Sequence, residues 1–444
     1  MTRIFLRLPL ASAIILALLG STAAAQPQAL QLSYEEAWEL ARAENAQIQQ
    51  AQAGVDRAAA QVGEAVAGAL PQVTANGFYK RNFIIPETEV EFGGETARFQ
   101  FEKRNLFTGS VELSQPLYVA GRVGKALQIA RLYRQASREQ VAVSQAQVRL
   151  EVTRLYFGTV LARNWEEVAR ETYEQMLQHV ERVETMLQQG MVSEYDLIRS
   201  RVQASNFLPE VIAAENARQV AHEALAIALG LPPNQPLELT DGLEAYPDQE
   251  FPEGDLYALA LERRPELRQL DLQEQIQRKL IIIERHGVLW PNLYLTGGYS
   301  QTAQESDFEI GDYFWSRNLY AGLSLTIPLF DGFRARNRAQ IAQVDLRLVE
   351  IQQNLARKGI NLEIVQARSS LEEARKNVAA QEEGVELARK ALQIAQVQYA
   401  NGLATQLEVM DAQLALNQAR MNLLNARYAL ITAQAELVRA LGRE

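Results

Sequence analysis

Two carboxylates, Glu408 and Asp411, are the residues best placed to do chemistry. They stand three apart at the start of the last helical stretch, so a helix puts both on one face. Such a pair draws cations. Acid at a helix start is also what the exposed N-terminal amides favour. Nothing completes a catalytic set around it. His179, His222 and His286 are far apart and show no metal-ligand spacing. A glycine-rich phosphate loop is absent. The expectation is therefore no cofactor, no metal and no enzymatic activity.

Tyr399 is the second candidate. It closes a seven-residue recurrence, Leu371, Val378, Val385, Leu392 and Tyr399. Upstream, Val344, Leu348, Ile351 and Leu355 keep a 4-3-4 rhythm, which is knobs-into-holes spacing. The spacing predicts one helix from Phe333 to Tyr399, a rod roughly 100 Å long at about 1.5 Å per residue. The rod breaks at Asn401-Gly402, and a second helix, about Thr405 to Leu441, turns back beside it. Gly402, Leu403, Ala404 and Thr405 form the turn. Glycine there suits a left-handed backbone position and threonine can cap the return helix.

The same pattern occurs earlier. Gly190, Met191, Val192 and Ser193 match Gly402 to Thr405 at an offset of 212. They separate a helix of about Arg122 to Gln188 from a return over Ser193 to Leu229. Gln115-Pro116-Leu117-Tyr118 with Gly121 matches Ile327-Pro328-Leu329-Phe330 with Gly332. The chain therefore reads as two tandem copies of one unit. Residues 26–230 form the first, 231–254 a proline-rich connector and 255–444 the second. Pro209 interrupts the first return helix and predicts a kink or break.

Before each rod the period changes to two. Val73, Ala75, Gly77 and Tyr79 alternate with Thr74, Asn76, Phe78 and Lys80, and Phe107, Val111 and Leu113 with Thr108, Ser110, Glu112 and Ser114. Leu293, Leu295, Gly297 and Tyr299 repeat this, followed by Leu319, Ala321, Leu323, Leu325 and Ile327. Each pair reads as a hairpin with a long polar loop, 81–105 in the first. Arms of nine to eleven residues suit a tilted strand crossing a bilayer, or an ordinary sheet with one wet face. Trp290, Tyr294, Trp315 and Tyr320 sit where strand ends would meet headgroups. Four strands cannot close a barrel, and an open edge does not survive in lipid. A membrane barrel would need several chains, in an even-stranded total that periodicity alone does not set. Ahead of the first unit, Ser33 and Glu36 make a capping box for a helix running to about Ala69.

Residues 1–25 read as an export signal, with Arg3 and Arg7, an apolar run over Leu8–Leu19, and Ala23-Ala24-Ala25 before Gln26. The net charge of -10 disfavours nucleic acid as a partner. Cysteine is absent, which excludes disulfides, thiolate metal sites and a lipidated cysteine.

These features together resemble the TolC family of outer-membrane efflux proteins, over essentially the whole mature chain. The strongest local matches are the two Pro/Gly strand exits and the run Tyr399-Ala400-Asn401-Gly402-Leu403-Ala404-Thr405 into Glu408-Val409-Met410-Asp411. The resemblance implies a mainly α fold with a small membrane β part. Three copies would share a 12-stranded β-barrel, four strands per chain, continued by a long α-helical coiled-coil barrel across the periplasm. It implies a homotrimer in outer-membrane lipid, docked to a periplasmic adaptor and an inner-membrane pump. The chain would be the passive exit duct for drugs or other small molecules. A type I protein-secretion duct, a metal-ion efflux duct and a pore-free periplasmic coiled coil are the alternatives.

Family roles follow by position. Glu408 and Asp411 would line the pore constriction, six carboxylates in two rings that favour cations. Tyr399 would help gate the entrance. The turns Gly190–Ser193 and Gly402–Thr405 would face the adaptor. The best-known members of the family place an arginine two residues after the second turn glycine, where this chain has Ala404, so part of the familiar closed-state lock is missing. Asp196 and Arg199 hold the first-repeat positions of Glu408 and Asp411, so only the second unit carries the acidic pair.

Overall fold

The structure is a computed structural model that describes residues 29–442 except 94, 101, 248, 250, 253, 287–289 and 309. The expected export signal lies outside the described residues. In chain order the elements are β1 (Leu30–Leu32), α1 (Tyr34–Glu44), α2 (Ala46–Ala67), β2 (Gln72–Arg81), β3 (Thr88–Phe92), β4 (Glu95–Phe99), β5 (Asn105–Val119), α3 (Arg122–Gln188) and α4 (Glu194–Ala228). Then follow β6 (Leu237–Leu239), α5 (Leu256–Arg263), α6 (Pro265–Arg285), β7 (Asn292–Glu305), β8 (Ser316–Thr326), α7 (Arg334–Ala400) and α8 (Gln406–Ala440).

The two rods have the same length, 67 residues each, and each return helix has 35. A 35-residue helix covers only about half of its rod. The other half of α3 is covered by α2, and that of α7 by α6. Each rod is therefore half of a continuous antiparallel pair. Both rods leave the sheet through two consecutive left-handed residues, Ala120-Gly121 in one repeat and Gly332-Phe333 in the other. That shared backbone device underlies the Pro/Gly punctuation of the two strand exits.

Where partner helices meet end to end, the rods are thickened by apolar cores. Around α3, Tyr34, Trp38, Val152, Tyr156, Phe157, Leu225 and Leu229 are buried together. The Tyr156 hydroxyl donates to the Leu32 carbonyl at 2.9 Å. Around α7 the equivalent core holds Leu267, Ile360, Ile364, Leu371, Leu437 and Leu441. There the buried Arg264 donates from Nε to the Ala440 carbonyl at 2.8 Å and from Nη2 to Glu363 Oε2 at 2.6 Å. A buried guanidinium needs such partners, because desolvation costs several kcal/mol, roughly, without them.

The sheet order is β2-β5-β7-β8, antiparallel throughout. Paired residues share a face, so the register decides what each face is made of. One face collects Val73, Ala75 and Tyr79 of β2, Phe107, Val111 and Leu113 of β5, Leu295 and Tyr299 of β7, and Leu319, Leu323 and Leu325 of β8. The other collects Thr74, Asn76 and Lys80, Thr108, Ser110 and Glu112, Thr296, Ser300 and Thr302, and Asn318 and Ser324, with Phe78, Leu106, Tyr294 and Tyr320 among them, while Gln301 and Arg317 stand on the apolar face. Four separately alternating segments are thus brought into phase. Most of the apolar face is bare, Leu319 being 79% exposed and Leu323 68%; toward the β7–β8 loop, Phe308 and Tyr313 cover Tyr79 and Phe107. The edges of β2 and β8 have no strand beside them among the described residues. No described helix is long and apolar enough to cross a membrane.

Several local expectations are corrected. The first helix is not continuous to Ala69: it ends at Glu44, and Asn45 caps the next, its Oδ1 accepting from Gln47 N–H at 2.9 Å. The polar loop between β2 and β5 contains the hairpin β3–β4. The proline-rich connector holds a strand, β6, which pairs in parallel with β1. Strands β5 and β7 run to 15 and 14 residues, beyond the expected arms. Tyr320 stands in mid-strand, its ring so close over Gly298 that a Cβ there would lie 2.7 Å from it. The helix α4 continues through Pro209, at the cost of one backbone hydrogen bond. Finally, Val344, Leu348, Ile351 and Leu355 are exposed, while Val349, Gln353 and Ile360 face inward. Their 4-3-4 rhythm marks a second apolar stripe, unpartnered within the chain.

Candidate functional site

The candidate residues gather at the helical tips, where each rod turns into its return helix. Gly190 and Gly402 both have φ +72. Such a backbone carries a conformational penalty for any side chain with a Cβ, although the space around both glycines is open. The turns are built alike. Met191 N–H donates to the Met186 carbonyl and Gly190 N–H to that of Leu187, both at 2.9 Å. Leu403 N–H donates to Gln398 at 2.8 Å and Gly402 N–H to Tyr399 at 3.0 Å. These are the paired bonds of a Schellman motif, which satisfy the last carbonyls of a helix. Met191 and Leu403 project from the two tips, Leu403 being 80% exposed. Val192 and Ala404 behind them are half-buried.

The return helices start differently. Ser193 and Asp196 form a full capping box: Asp196 Oδ2 accepts from Ser193 N–H at 3.1 Å and from its hydroxyl at 2.7 Å. Those bonds hold the Asp196 carboxyl below its usual range. Thr405 accepts from Glu408 N–H at 3.4 Å, without a return bond from the Glu408 side chain. Glu408 and Asp411 are both exposed and unpaired among the described residues. They lie opposite the buried side of α8, which carries Gln406 and Met410. The structure thus leaves both carboxylates free on one outward face.

Tyr399 is turned toward the other repeat. Its hydroxyl lies 3.9 Å from Met186 Sδ on α3, and its ring centroid 6.3 Å from that of His179. Burial, and next the charge of Asp196, push its hydroxyl up from the ordinary tyrosine value. Tyr399 therefore joins the end of the second rod to the first. The acidic pair sits on a different face of the tip, and the structure does not bring it to Tyr399.

Next to Tyr399 lies a polar node that pattern reading did not single out. Gln406 Nε2 donates to Ser200 Oγ at 2.6 Å and sits 3.0 Å from His179 Nε2. Ser200 in turn donates to the Asp196 carbonyl at 2.7 Å. An amide nitrogen only donates, so the ring nitrogen accepts and His179 is neutral. Burial, and next the nearby Arg182, lower its pKa to match. One sequence signal marks Gln406 but not its partners: it stands one turn before Met410 on the apolar side of α8. A polar residue at such a position needs a partner. His179 and Ser200 also line a cavity of about 450 Å³ between the two helical hairpins. No group of residues suited to a metal is present among the described residues.

Against known proteins, the family profile described as outer membrane efflux protein matches residues 37–231 and 256–443. The two segments correspond to the two tandem units. The probable outer membrane lipoprotein SilC of Salmonella typhimurium is 26% identical over 319 residues, 70% of this chain and 66% of its own length. This chain has no cysteine to carry a lipid. Among solved structures, CusC, described in terms of folding and transmembrane channel formation, superposes with a TM-score of 0.74 at 22% identity, over 93% of this chain and 92% of its own. The open-state MtrE outer membrane channel of Neisseria gonorrhoeae gives 0.74 at 18% identity, over 92% and 89%. At these identities the structures establish the fold.

Proposed function

The chain belongs to the outer membrane efflux protein family, and from that premise we propose that three copies form the passive exit duct of a tripartite efflux system. The observation that carries this reading is the sheet. Its register gathers most of the large apolar side chains on one largely bare face and most polar ones on the other, and both edges are unpaired among the described residues. A polar face belongs against water and a bare apolar one against lipid, while open edges must be paired by other copies. Three copies supply twelve strands. The exposed stripe of Val344, Leu348, Ile351 and Leu355 gives the helical part a lateral contact of its own.

In this reading the repeats 26–230 and 255–444, joined by 231–254, each contribute one hairpin to the barrel and one helical pair to a periplasmic tunnel. The turns Gly190–Ser193 and Gly402–Thr405 face a periplasmic adaptor, which links the duct to an inner-membrane pump. The pump supplies the energy, and the duct does no chemistry on its small-molecule cargo. Glu408 and Asp411, free on one face, line the constriction. Tyr399 and the neighbouring Gln406–Ser200–His179 node hold the two hairpins of each chain together at the entrance. They occupy the role that the missing arginine at Ala404 leaves open.

Export in cells tests this. A strain lacking its own exit duct, given this chain with its neighbouring adaptor and pump, should regain resistance to a pump substrate. Normal assembly in the outer membrane without any export would contradict the duct reading.

A further inference from the structure

The barest large apolar side chains at the β end lie beside the two opposite edges of one sheet. Phe83 (90% exposed) and Ile84 (88%) follow β2, and Phe314 (81%) precedes β8. The strands alternate in direction, so the end of β2 and the start of β8 reach the same rim. The last rung shared by all four strands is Phe78, Thr108, Thr302 and Ser316, and Phe83 and Phe314 both lie beyond it.

Neither residue hangs from a slack loop. Asn82 extends the β2–β5 ladder, its N–H donating to the Arg104 carbonyl at 2.7 Å and its Nδ2 to Glu102 Oε2 at 2.7 Å. Phe83 is the next residue. Tyr313 is buried, its ring 5.6 Å from Phe107 and its hydroxyl bonded to the Asp307 carbonyl. Phe314 is the next residue again. Apolar side chains held in place and left bare mark a contact surface. They do not cover one another within the chain, where both stay bare.

We propose that Phe83 and Ile84 of one copy pack against Phe314 of the next, forming a rim clasp at every junction between copies. This rests on the barrel reading above, in which β2 of one copy lies beside β8 of its neighbour with the antiparallel sense preserved. The clasp sits just past the end of the backbone ladder. There it selects the register in which the edges pair. That choice matters, because a one-residue slip would turn one strand's apolar side inward.

The absence of cysteine makes the test direct. The full chain carrying F83C and F314C, in its native outer membrane, is oxidised or treated with a short bismaleimide. Covalent dimers and trimers should form in the double variant and not in either single one. A link closed within one chain would leave the mass of a single chain, so only covalent dimers and trimers report the clasp. I84C with F314C provides a second pair. Native mass measurement before cross-linking separates the outcomes. A monomer would sink the barrel reading and the clasp with it. A trimer that links through neither pair would overturn the clasp alone. So would a trimer in which F314C reacts instead with a maleimide dissolved in the lipid, which would assign the patch to the membrane surface.

Discussion

Replacing Gln406 with alanine should loosen the helical tips by a predictable amount. The side chain is buried and makes two contacts, to Ser200 Oγ at 2.6 Å and His179 Nε2 at 3.0 Å. A hydrogen bond is worth about 1 kcal/mol net. Each of the two bonds counts for roughly half of that, because His179 and Ser200 both line a cavity where water can replace the partner. Losing the buried methylene removes about 0.8 kcal/mol more. Ser200 keeps its bond to the Asp196 carbonyl and leaves no orphaned donor. The sum, about 2 kcal/mol, corresponds to roughly 30-fold more frequent local opening. Hydrogen exchange on the detergent-solubilised assembly reads this. Peptides covering the end of α7 and the first turns of α8 and α4 should lose protection by that factor, and the sheet should not change. Adding Ser200→Ala should cost less than it does alone, since the two share a bond. A change under about threefold at the tips would refute the reasoning, because the node would then carry no coupling between the hairpins.

Three further outcomes follow from the tip geometry. The His179 pKa is lowered in the folded protein, so the unfolded chain binds the extra proton and the node's contribution is complete above the ordinary value of 6.5. That contribution is lost as pH falls below 6.5 toward the lowered value. Spin labels at M191C and L403C should show a broader separation in that range, and His179→Gln should remove the pH dependence. Gly190→Val or Gly402→Val should cost about 1–2 kcal/mol at each turn through its positive φ alone. Export should then fall more than trimer yield; unchanged export in both variants would remove the tips from adaptor docking. Replacing Glu408 with Asn and Asp411 with Ala should lower cation selectivity and multivalent-cation block in planar bilayers, with assembly unchanged. Salt screens such charges over about 10 Å at 0.1 M, so the comparison belongs at low salt.

The rods were legible because their punctuation is strong. Gly190 and Gly402 are left-handed and Ser193 and Thr405 do cap, at positions that residue type alone indicates. The strands were legible through period two, and their even phase across four segments emerged only from the register. Reading failed where one pattern had two physical causes. Val344, Leu348, Ile351 and Leu355 keep core spacing yet stay exposed in the single chain, since periodicity reports an apolar stripe and not what covers it. Pro209 predicts a kink or break; no break occurs, because the packing of α4 along α3 holds the helix through it. The break that does occur, at Asn45, comes from an asparagine whose side chain caps the following helix. At the tips, Tyr399 and the turns could be found by spacing. The partnership of Gln406, Ser200 and His179 could not, because it joins residues more than two hundred positions apart.

The central claim is that this four-stranded sheet is completed by other copies within a membrane. Native mass measurement of the protein extracted from outer membranes in mild detergent tests it most directly. The expected result is a complex of three copies of the chain, which needs detergent to stay in solution. A stable monomer, soluble without detergent, would contradict it.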